Sequence, residues 1–317
     1  MIYHDFWQQL TSTYETGEAK AVARYVFEHC FGLTMADLLC GKDSLLTESE
    51  QARLQALCQR LLTGEPVQYV TGVAEFGPLL LHVEPGVLIP RPETYELCQW
   101  VKNDSRRYGG TEIRGYENSF SNGDSSANAN LVPQHLRTPV PPGNAPKILD
   151  IGTGSGCIAI TLAQTYHSVT AWDISDEALR IAAKNAETTG VSVTFEKHDI
   201  LTSLSPQIST LNPRWDIIVS NPPYICRNEQ HAMEQNVLAF EPHLALFVPD
   251  DDPLLFYRAI ARYAKHALNP GGRMYFEINP LYHTELLQLL ATEGFTAITS
   301  RRDQFGKTRF VRASTGN

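Results

Sequence analysis

Lys147-Ile148-Leu149-Asp150-Ile151-Gly152-Thr153-Gly154-Ser155-Gly156 is the stretch on which the fold turns. A short strand-like run gives way to three glycines at alternate positions, and an apolar, helix-compatible run follows from Cys157. Glycine lets the chain turn sharply where a strand ends and lets a ligand approach the backbone, so strand, glycine loop and helix form the opening unit of a parallel α/β sheet. Downstream the alternation continues, with a helix over 156–164, a strand over 169–174, a helix over 176–188 and strands over 191–196, 215–220 and 272–278. At the end, 295–300 and 308–312 flank the turn residues Asp303-Gln304-Phe305-Gly306 and are close enough to pair as an antiparallel hairpin. The expected fold is therefore α/β, a doubly wound, Rossmann-like sheet carrying one reversed strand.

Upstream the character differs. Thr47-Glu48-Ser49-Glu50 has the form of a capping box, and Leu54, Leu57, Cys58, Leu61 and Leu62 recur at helical spacing until Gly64-Glu65-Pro66 interrupts them. Residues 67–89 read as short apolar runs broken by Gly72, Gly77-Pro78 and Pro85-Gly86, which suggests a connecting hairpin. A chain of 317 residues exceeds the usual single core, so two units are expected: 1–85, helical with its hairpin, and 86–317, carrying the sheet. Residues 103–145 are rich in Asn, Ser, Gly and Pro without periodicity and read as a flexible insertion.

Composition narrows the function. No apolar run reaches membrane-spanning length and the first ten residues lack a signal-peptide pattern, which points to a cytoplasmic protein. Six scattered cysteines, with no C-x-x-C pair, read as reduced thiols and imply no zinc site. A net charge of −9 offers no overall footprint for a nucleic-acid backbone.

The glycine loop by itself leaves the ligand open. Gly154-x-Gly156-x-x-Ala159 also fits a dinucleotide fingerprint, and Asp173 ends the next strand where a ribose-binding acid would stand. Asp199, after the third strand, is a candidate acceptor for an adenine amino group. The choice comes from Asp216-Ile217-Ile218-Val219-Ser220-Asn221-Pro222-Pro223-Tyr224-Ile225, a β-branched run ending in two prolines beside the glycine loop. The lone pair of an amide or aromatic amine nitrogen is delocalised, so such a nitrogen is a poor nucleophile. Acceptors for its NH2 group, the Asn221 side-chain oxygen and the Pro222 carbonyl, would orient it for attack. Pro222 and Pro223 stiffen those carbonyls, and Tyr224 can cover the planar group. A methyl group on a sulfonium is already activated, so S-adenosylmethionine is the expected cofactor and no metal is required. This chemistry leaves glutamine amide and adenine amine both open as acceptors.

With these residues assembled, the chain resembles the PrmC/HemK family of protein-glutamine N5-methyltransferases that modify peptide chain release factors. The resemblance covers nearly the whole chain. It includes Gly64-Glu65-Pro66-Val67-Gln68-Tyr69 with Glu75-Phe76, Leu88-Ile89-Pro90-Arg91-Pro92-Glu93-Thr94, the glycine loop, Asn221 to Ile225, and Phe240-Glu241-Pro242 with Ala245-Leu246. It implies a class I methyltransferase sheet, an N-terminal helical domain that engages the release factor, and methylation of the glutamine in that factor's Gly-Gly-Gln loop. Carried over by position, Gly152, Thr153, Gly154, Ser155, Gly156, Asp173, Ile200 and Asn221 would contact the cofactor, and Asn221, Pro222, Pro223 and Tyr224 the glutamine. The release factor would be the partner of a monomer, with adenine N6-methylation of DNA or RNA as the alternative activity. Tyr95 stands where the family commonly has an acid, and Ile200 where some relatives have an aromatic.

Other residues draw no catalytic role. Arg91 and Glu93 read equally as cleft lining or as an ion pair holding the hairpin. His198, His231, His243 and His283 form no triad spacing, and Asp250-Asp251-Asp252, flanked by prolines, reads as a turn before a helix.

Overall fold

A computed structural model describes residues 1–105, 145–202 and 215–316. Helices α1 (Tyr3–Leu10), α2 (Thr16–Phe31), α3 (Met35–Leu39), α4 (Glu48–Leu62) and α5 (Val67–Thr71) open the chain. Their shared core includes Phe6, Leu10, Val26, Phe27, Leu54 and Leu61. The capping box forms as the spacing predicts. Glu50 N–H donates to Thr47 Oγ1 at 3.3 Å and Thr47 N–H donates to Glu50 Oε2 at 2.8 Å, satisfying two helix-end donors of α4. Residues 67–71, expected to begin the hairpin, are instead helical. The local Val and Thr content favours a strand, but Pro66 at the N-cap and Gly72 at φ 77° as the left-handed C-cap close one helical turn around them.

The hairpin itself is β1 (Val73–Phe76) paired antiparallel with β2 (Leu79–His82). One edge of it meets α2, with Val73 O accepting from Tyr25 Oη and Glu75 Oε1 beside His29 Nε2, each at 3.1 Å. Phe76, Leu79 and Leu81 join Leu97, Trp100 and Tyr275 under the main sheet. Tyr95 explains its own departure from the family's acid: its ring meets Phe76 edge-on at 5.5 Å and covers Gly77, where an added Cβ would lie 2.4 Å from the ring.

Helix α6 (Pro92–Ser105) runs into the stretch expected to be an insertion. Its end is anchored because Asp104 is buried, accepting from Tyr275 Oη at 3.1 Å and Arg312 Nη1 at 2.6 Å. The rest of that expected insertion, 106–144, lies outside the described residues.

From there the alternation proceeds as β3 (Lys147–Ile151), α7 (Cys157–Ala163), β4 (Ser168–Asp173), α8 (Asp176–Thr189), β5 (Thr194–Lys197) and β6 (Trp215–Ser220). A two-residue strand β7 (Ile225–Cys226), α9 (Gln235–Phe240), α10 (His243–Leu246) and its partner strand β8 (Phe247–Val248) follow. The chain closes with α11 (Leu255–Ala267), β9 (Leu268–Glu277), α12 (His283–Thr292), β10 (Thr296–Arg302) and β11 (Thr308–Ser314). The seven-stranded sheet has the order β10-β11-β9-β6-β3-β4-β5. Pairs β3/β4, β3/β6, β4/β5 and β6/β9 are parallel, whereas β11 runs against both β9 and β10. This is the expected class I methyltransferase sheet with its reversed strand.

Strand order reverses at β3, which has β4 on one side and β6 on the other, and a crevice opens at the carboxyl ends of strands that diverge in this way. In register, Ile151 lies opposite Ser220, and Ser220 Oγ donates to Ile151 O at 2.6 Å. The glycine loop and the Asn-Pro-Pro-Tyr loop therefore start side by side.

Candidate active site

On the glycine side of the crevice, Gly152, Gly154 and Gly156 have φ of 74°, 55° and 83°, which favours glycine at all three. Their surroundings separate their roles. A Cβ at Gly152 or Gly154 would meet nothing within 4 Å, so these two leave an open cradle. One at Gly156 would sit 2.9 Å from Ile160 Cδ1 and 3.0 Å from Ala182 Cβ, so this glycine lets α7 and α8 pack. Thr153 and Ser155 are buried beneath the cradle. Thr153 Oγ1 donates to Asp150 Oδ2 at 2.7 Å, and Ala159 N–H donates to the same oxygen at 3.2 Å. Asp150 is fully buried, and burial pushes its carboxyl up to about 7.

Asp173, at the end of β4, holds the loop in shape: Gly154 N–H donates to its Oδ2 and Ser175 N–H to its Oδ1, both at 2.9 Å. Burial raises its carboxyl above the ordinary range, opposed by those backbone donors. A carboxylate has about four acceptor positions, so with Ile174 N–H as a third backbone donor capacity remains for a ribose hydroxyl. Past β5, Asp199 Oδ1 accepts from Leu201 N–H at 2.9 Å, and Ile200 is buried beside Trp172 in the core. The residues that could hold an adenosyl ligand thus ring one end of the crevice, with an open glycine cradle at its centre.

Beyond β6, Asn221, Pro222 and Tyr224 line a cavity of about 340 Å³. Its apolar wall comes from Leu88, Ile225, Met233, Val237, Ala245 and Leu246, and Arg91, Glu234 and Glu277 add polar groups. Segments far apart in sequence are tied together here. The buried Glu241 carboxylate accepts from Ile89 N–H at 3.2 Å and pairs with Arg91, so Arg91 both lines the cavity and fastens the residues before α6 to the Asn-Pro-Pro-Tyr side.

Asn221 Nδ2 donates to Thr94 Oγ1 at 3.2 Å, and Thr94 Oγ1 donates to Glu277 Oε2 at 2.7 Å. Tyr224 Oη donates to the other oxygen, Glu277 Oε1, at 3.2 Å. Asn279 Nδ2 holds the Tyr224 carbonyl at 3.1 Å. Glu277 is almost wholly enclosed, and burial raises its carboxyl while Thr94, Arg309 and Tyr224 act to lower it. Among the described residues no donor reaches Asn221 Oδ1, so that oxygen remains available to an NH2 group.

Residues 3–72 match the family described as PrmC N-terminal domain, and residues 110–241 the Methyltransferase small domain. A release factor glutamine methyltransferase of Bacteroides thetaiotaomicron is 38% identical over 97% of this chain and 96% of that protein. Those of Flavobacterium psychrophilum and Streptococcus pneumoniae are 36% and 34% identical, covering 98% and 96% of this chain and 96% of each relative. The chain belongs to the release factor glutamine methyltransferase family. It is a methyltransferase whose cofactor is S-adenosylmethionine.

For this release factor glutamine methyltransferase family member, the two loops singled out in the sequence do meet at one crevice. Thr94 and Glu277 carried no expected role, although Thr94 closes the quoted Leu88-to-Thr94 segment. For the other, an acid set in an apolar run, Phe276-Glu277-Ile278-Asn279, is a trace in the sequence that names neither its burial nor its partner. Three of the four candidate histidines have packing or surface partners: His198 stacks on Trp172 at 4.1 Å, His243 Nε2 lies 2.9 Å from Leu238 O, and His283 Nε2 lies 2.7 Å from Ser300 Oγ. Asp250-Asp251-Asp252 forms the expected turn, with Asp252 pairing Arg258 at 2.6 Å. Among the described residues no helix is long and apolar enough to cross a membrane.

Proposed function

We propose that the chain transfers a methyl group from S-adenosylmethionine to the side-chain amide nitrogen of the glutamine in the Gly-Gly-Gln loop of peptide chain release factors. The observation that carries this reading is the cavity beside Asn221 and Pro222. It is walled by apolar side chains that suit the methylenes of a glutamine, with a side-chain acceptor at its head. The names of the relatives, aligned from end to end, favour glutamine over adenine.

When bound, S-adenosylmethionine supplies a methyl group on a sulfonium leaving group. Gly152 and Gly154 would lie against it, with Thr153, Ser155 and Gly156 shaping the loop. Asp173 would accept from a ribose hydroxyl, Asp199 from the adenine amino group, and Ile200 would back the ring. Asn221 would border both ligands. Its Oδ1 and the Pro222 carbonyl accept the two protons of the glutamine NH2, turning the nitrogen lone pair toward the crevice, while Pro223 holds the loop rigid and Tyr224 covers the amide plane. As the new bond forms and the sulfonium's bond to the methyl breaks, positive charge grows on the NH2 group, the same two oxygens stabilise it, and one of its protons is then released to solvent to leave the neutral N-methyl amide. We further place residues 1–85 as a unit for release-factor docking, 86–317 as the catalytic unit, and the protein as a cytoplasmic monomer that contacts no nucleic acid.

The test is mass spectrometry of release factor incubated with the protein and S-adenosylmethionine. A single added methyl on the Gly-Gly-Gln peptide is expected. Labelling that persists after that glutamine is replaced, or that appears on nucleic acid instead, would overturn the reading.

A further inference from the structure

We propose that Thr94 and Glu277 form a positioning relay that fixes the Asn221 amide in one of its two orientations and so makes the cavity select an amide NH2 over a carboxylate. The inference rests on the proposed role of Asn221 as an acceptor for substrate. An asparagine amide is nearly symmetric in shape, and a half-turn exchanges acceptor for donor at the same place. Contacts beyond the amide must therefore decide which end faces the substrate.

Here they do so through one proton. The Thr94 hydroxyl has a single hydrogen, and Glu277 Oε2 lies 2.7 Å away. With Glu277 ionised, the state that its neighbours Thr94, Arg309 and Tyr224 favour, the carboxylate only accepts, so that hydrogen is committed to Glu277. The second carboxylate oxygen is engaged by Tyr224 Oη at 3.2 Å, and both Thr94 and Glu277 are only 2% exposed, which leaves little water to substitute. The Thr94 oxygen can then face Asn221 only as an acceptor. At 3.2 Å it selects the Nδ2 end, and Oδ1 is left on the other side of the amide. A flipped Asn221 would set two acceptors against each other.

This has a consequence for substrate choice. A glutamine amide brings two N–H donors to Asn221 Oδ1 and the Pro222 carbonyl, whereas a glutamate side chain brings a charged acceptor to two acceptors. Without the relay, Asn221 can turn and donate to that carboxylate. Selectivity for the amide is thus set partly by two side chains that act through Asn221.

The experiment uses the full chain with Thr94→Val, Thr94→Ser and Glu277→Leu. Turnover and KM are measured on release factor, S-adenosylmethionine affinity by calorimetry, and folding by thermal melting. Inhibition is measured with the same release factor carrying glutamate in the Gly-Gly-Gln loop. Thr94→Val, nearly isosteric but without the hydroxyl, is expected to lower kcat about 10- to 100-fold with cofactor affinity within about twofold. Its preference for the glutamine over the glutamate form should narrow by at least about tenfold. Thr94→Ser restores the hydroxyl and should keep kcat and preference within about threefold of the parent. Equal behaviour of Val and Ser variants, or an unchanged preference in Thr94→Val, overturns the relay. If Thr94→Val fails to melt cooperatively, Glu277→Leu decides. Leucine accepts from neither hydroxyl, so the Thr94 hydrogen is released, preference must narrow there too, and parental preference overturns the relay. Failure of the proposed function would appear differently, as absence of glutamine methylation in the parent chain itself.

Discussion

At the scale of single residues, Asn221 and Asp150 place opposite demands on a polar side chain. Asn221 has its donor end committed to Thr94 and its acceptor end available, so removing it should act on the nucleophile more than on the cofactor. Asn221→Ala is expected to reduce kcat by about 100-fold or more while S-adenosylmethionine affinity changes by less than about fivefold, read by single-turnover assay and calorimetry. Turnover equal to the parent's would contradict the assigned role. Asp150 is instead a buried carboxyl whose Oδ1 has no partner among the described residues. Its folded-state value of about 7 lies above the ordinary 3.8, so between those limits the folded chain keeps a proton that the unfolded chain has released. Stability from this group is complete below the lower limit and is lost as pH rises through the upper one, at up to roughly 1.4 kcal/mol per pH unit. Urea denaturation from pH 5 to 7 should therefore give a flatter profile for Asp150→Asn than for the parent. Parallel profiles would exclude Asp150 as the source. Neither Asp150 nor the Thr94–Glu277 pair could be assigned from sequence, because burial and a partner 183 residues away are properties of the folded chain. Asn221 was legible because its neighbouring prolines and its strand announce a rigid loop end.

Among the elements, the glycine loop divides into a part that faces a ligand and a part that faces the protein. Gly156→Ala combines a left-handed φ of 83° with contacts of 2.9 Å to Ile160 and 3.0 Å to Ala182. Conformational strain and overpacking together should cost about 2–4 kcal/mol. Gly152→Ala carries only the first penalty, about 1–2 kcal/mol, but its methyl enters the open cradle. The expected ranking is thus a larger loss of thermal stability in Gly156→Ala and a larger loss of S-adenosylmethionine affinity per unit of stability lost in Gly152→Ala. The reverse ranking would remove the cradle assignment. Strands β3 and β6 begin and end where the sequence places them, since each is bounded by an abrupt change in residue type, to glycine or to proline. Helix α5 departs from its strand-like composition, five residues rich in Val and Thr, because Pro66 and Gly72 cap it at either end. Helix α6 continues past 103, where the insertion was expected to begin, because Asp104 is secured by Tyr275 and Arg312 on other elements.

Over the whole molecule, sheet topology brings the two loops together, but a separate set of contacts connects the β1–β2 hairpin to them. The alternation of strands and helices made the sheet legible; these cross-links, which depend on loops meeting over a hundred residues apart, were not. Asn185 on α8 is the clearest. Its Nδ2 donates to His82 O and to Ser155 O, each at 2.9 Å, and its Oδ1 accepts from His82 N–H at 2.7 Å. One buried amide thus satisfies three backbone groups, joining the last residue of the hairpin to the glycine loop. Asn185→Ala would leave all three without that partner, and each buried unsatisfied group costs about 1–3 kcal/mol unless water enters. A net loss of about 2–4 kcal/mol by urea denaturation is expected, together with weaker S-adenosylmethionine binding, because the Ser155 carbonyl helps hold the loop. Asn185→Asp supplies the control. It keeps the acceptor for His82 N–H but loses the donors to His82 O and Ser155 O, so it should weaken cofactor binding as Asn185→Ala does. If both variants bind cofactor as tightly as the parent while losing stability, the amide supports only the hairpin and the coupling between hairpin and cofactor loop is absent.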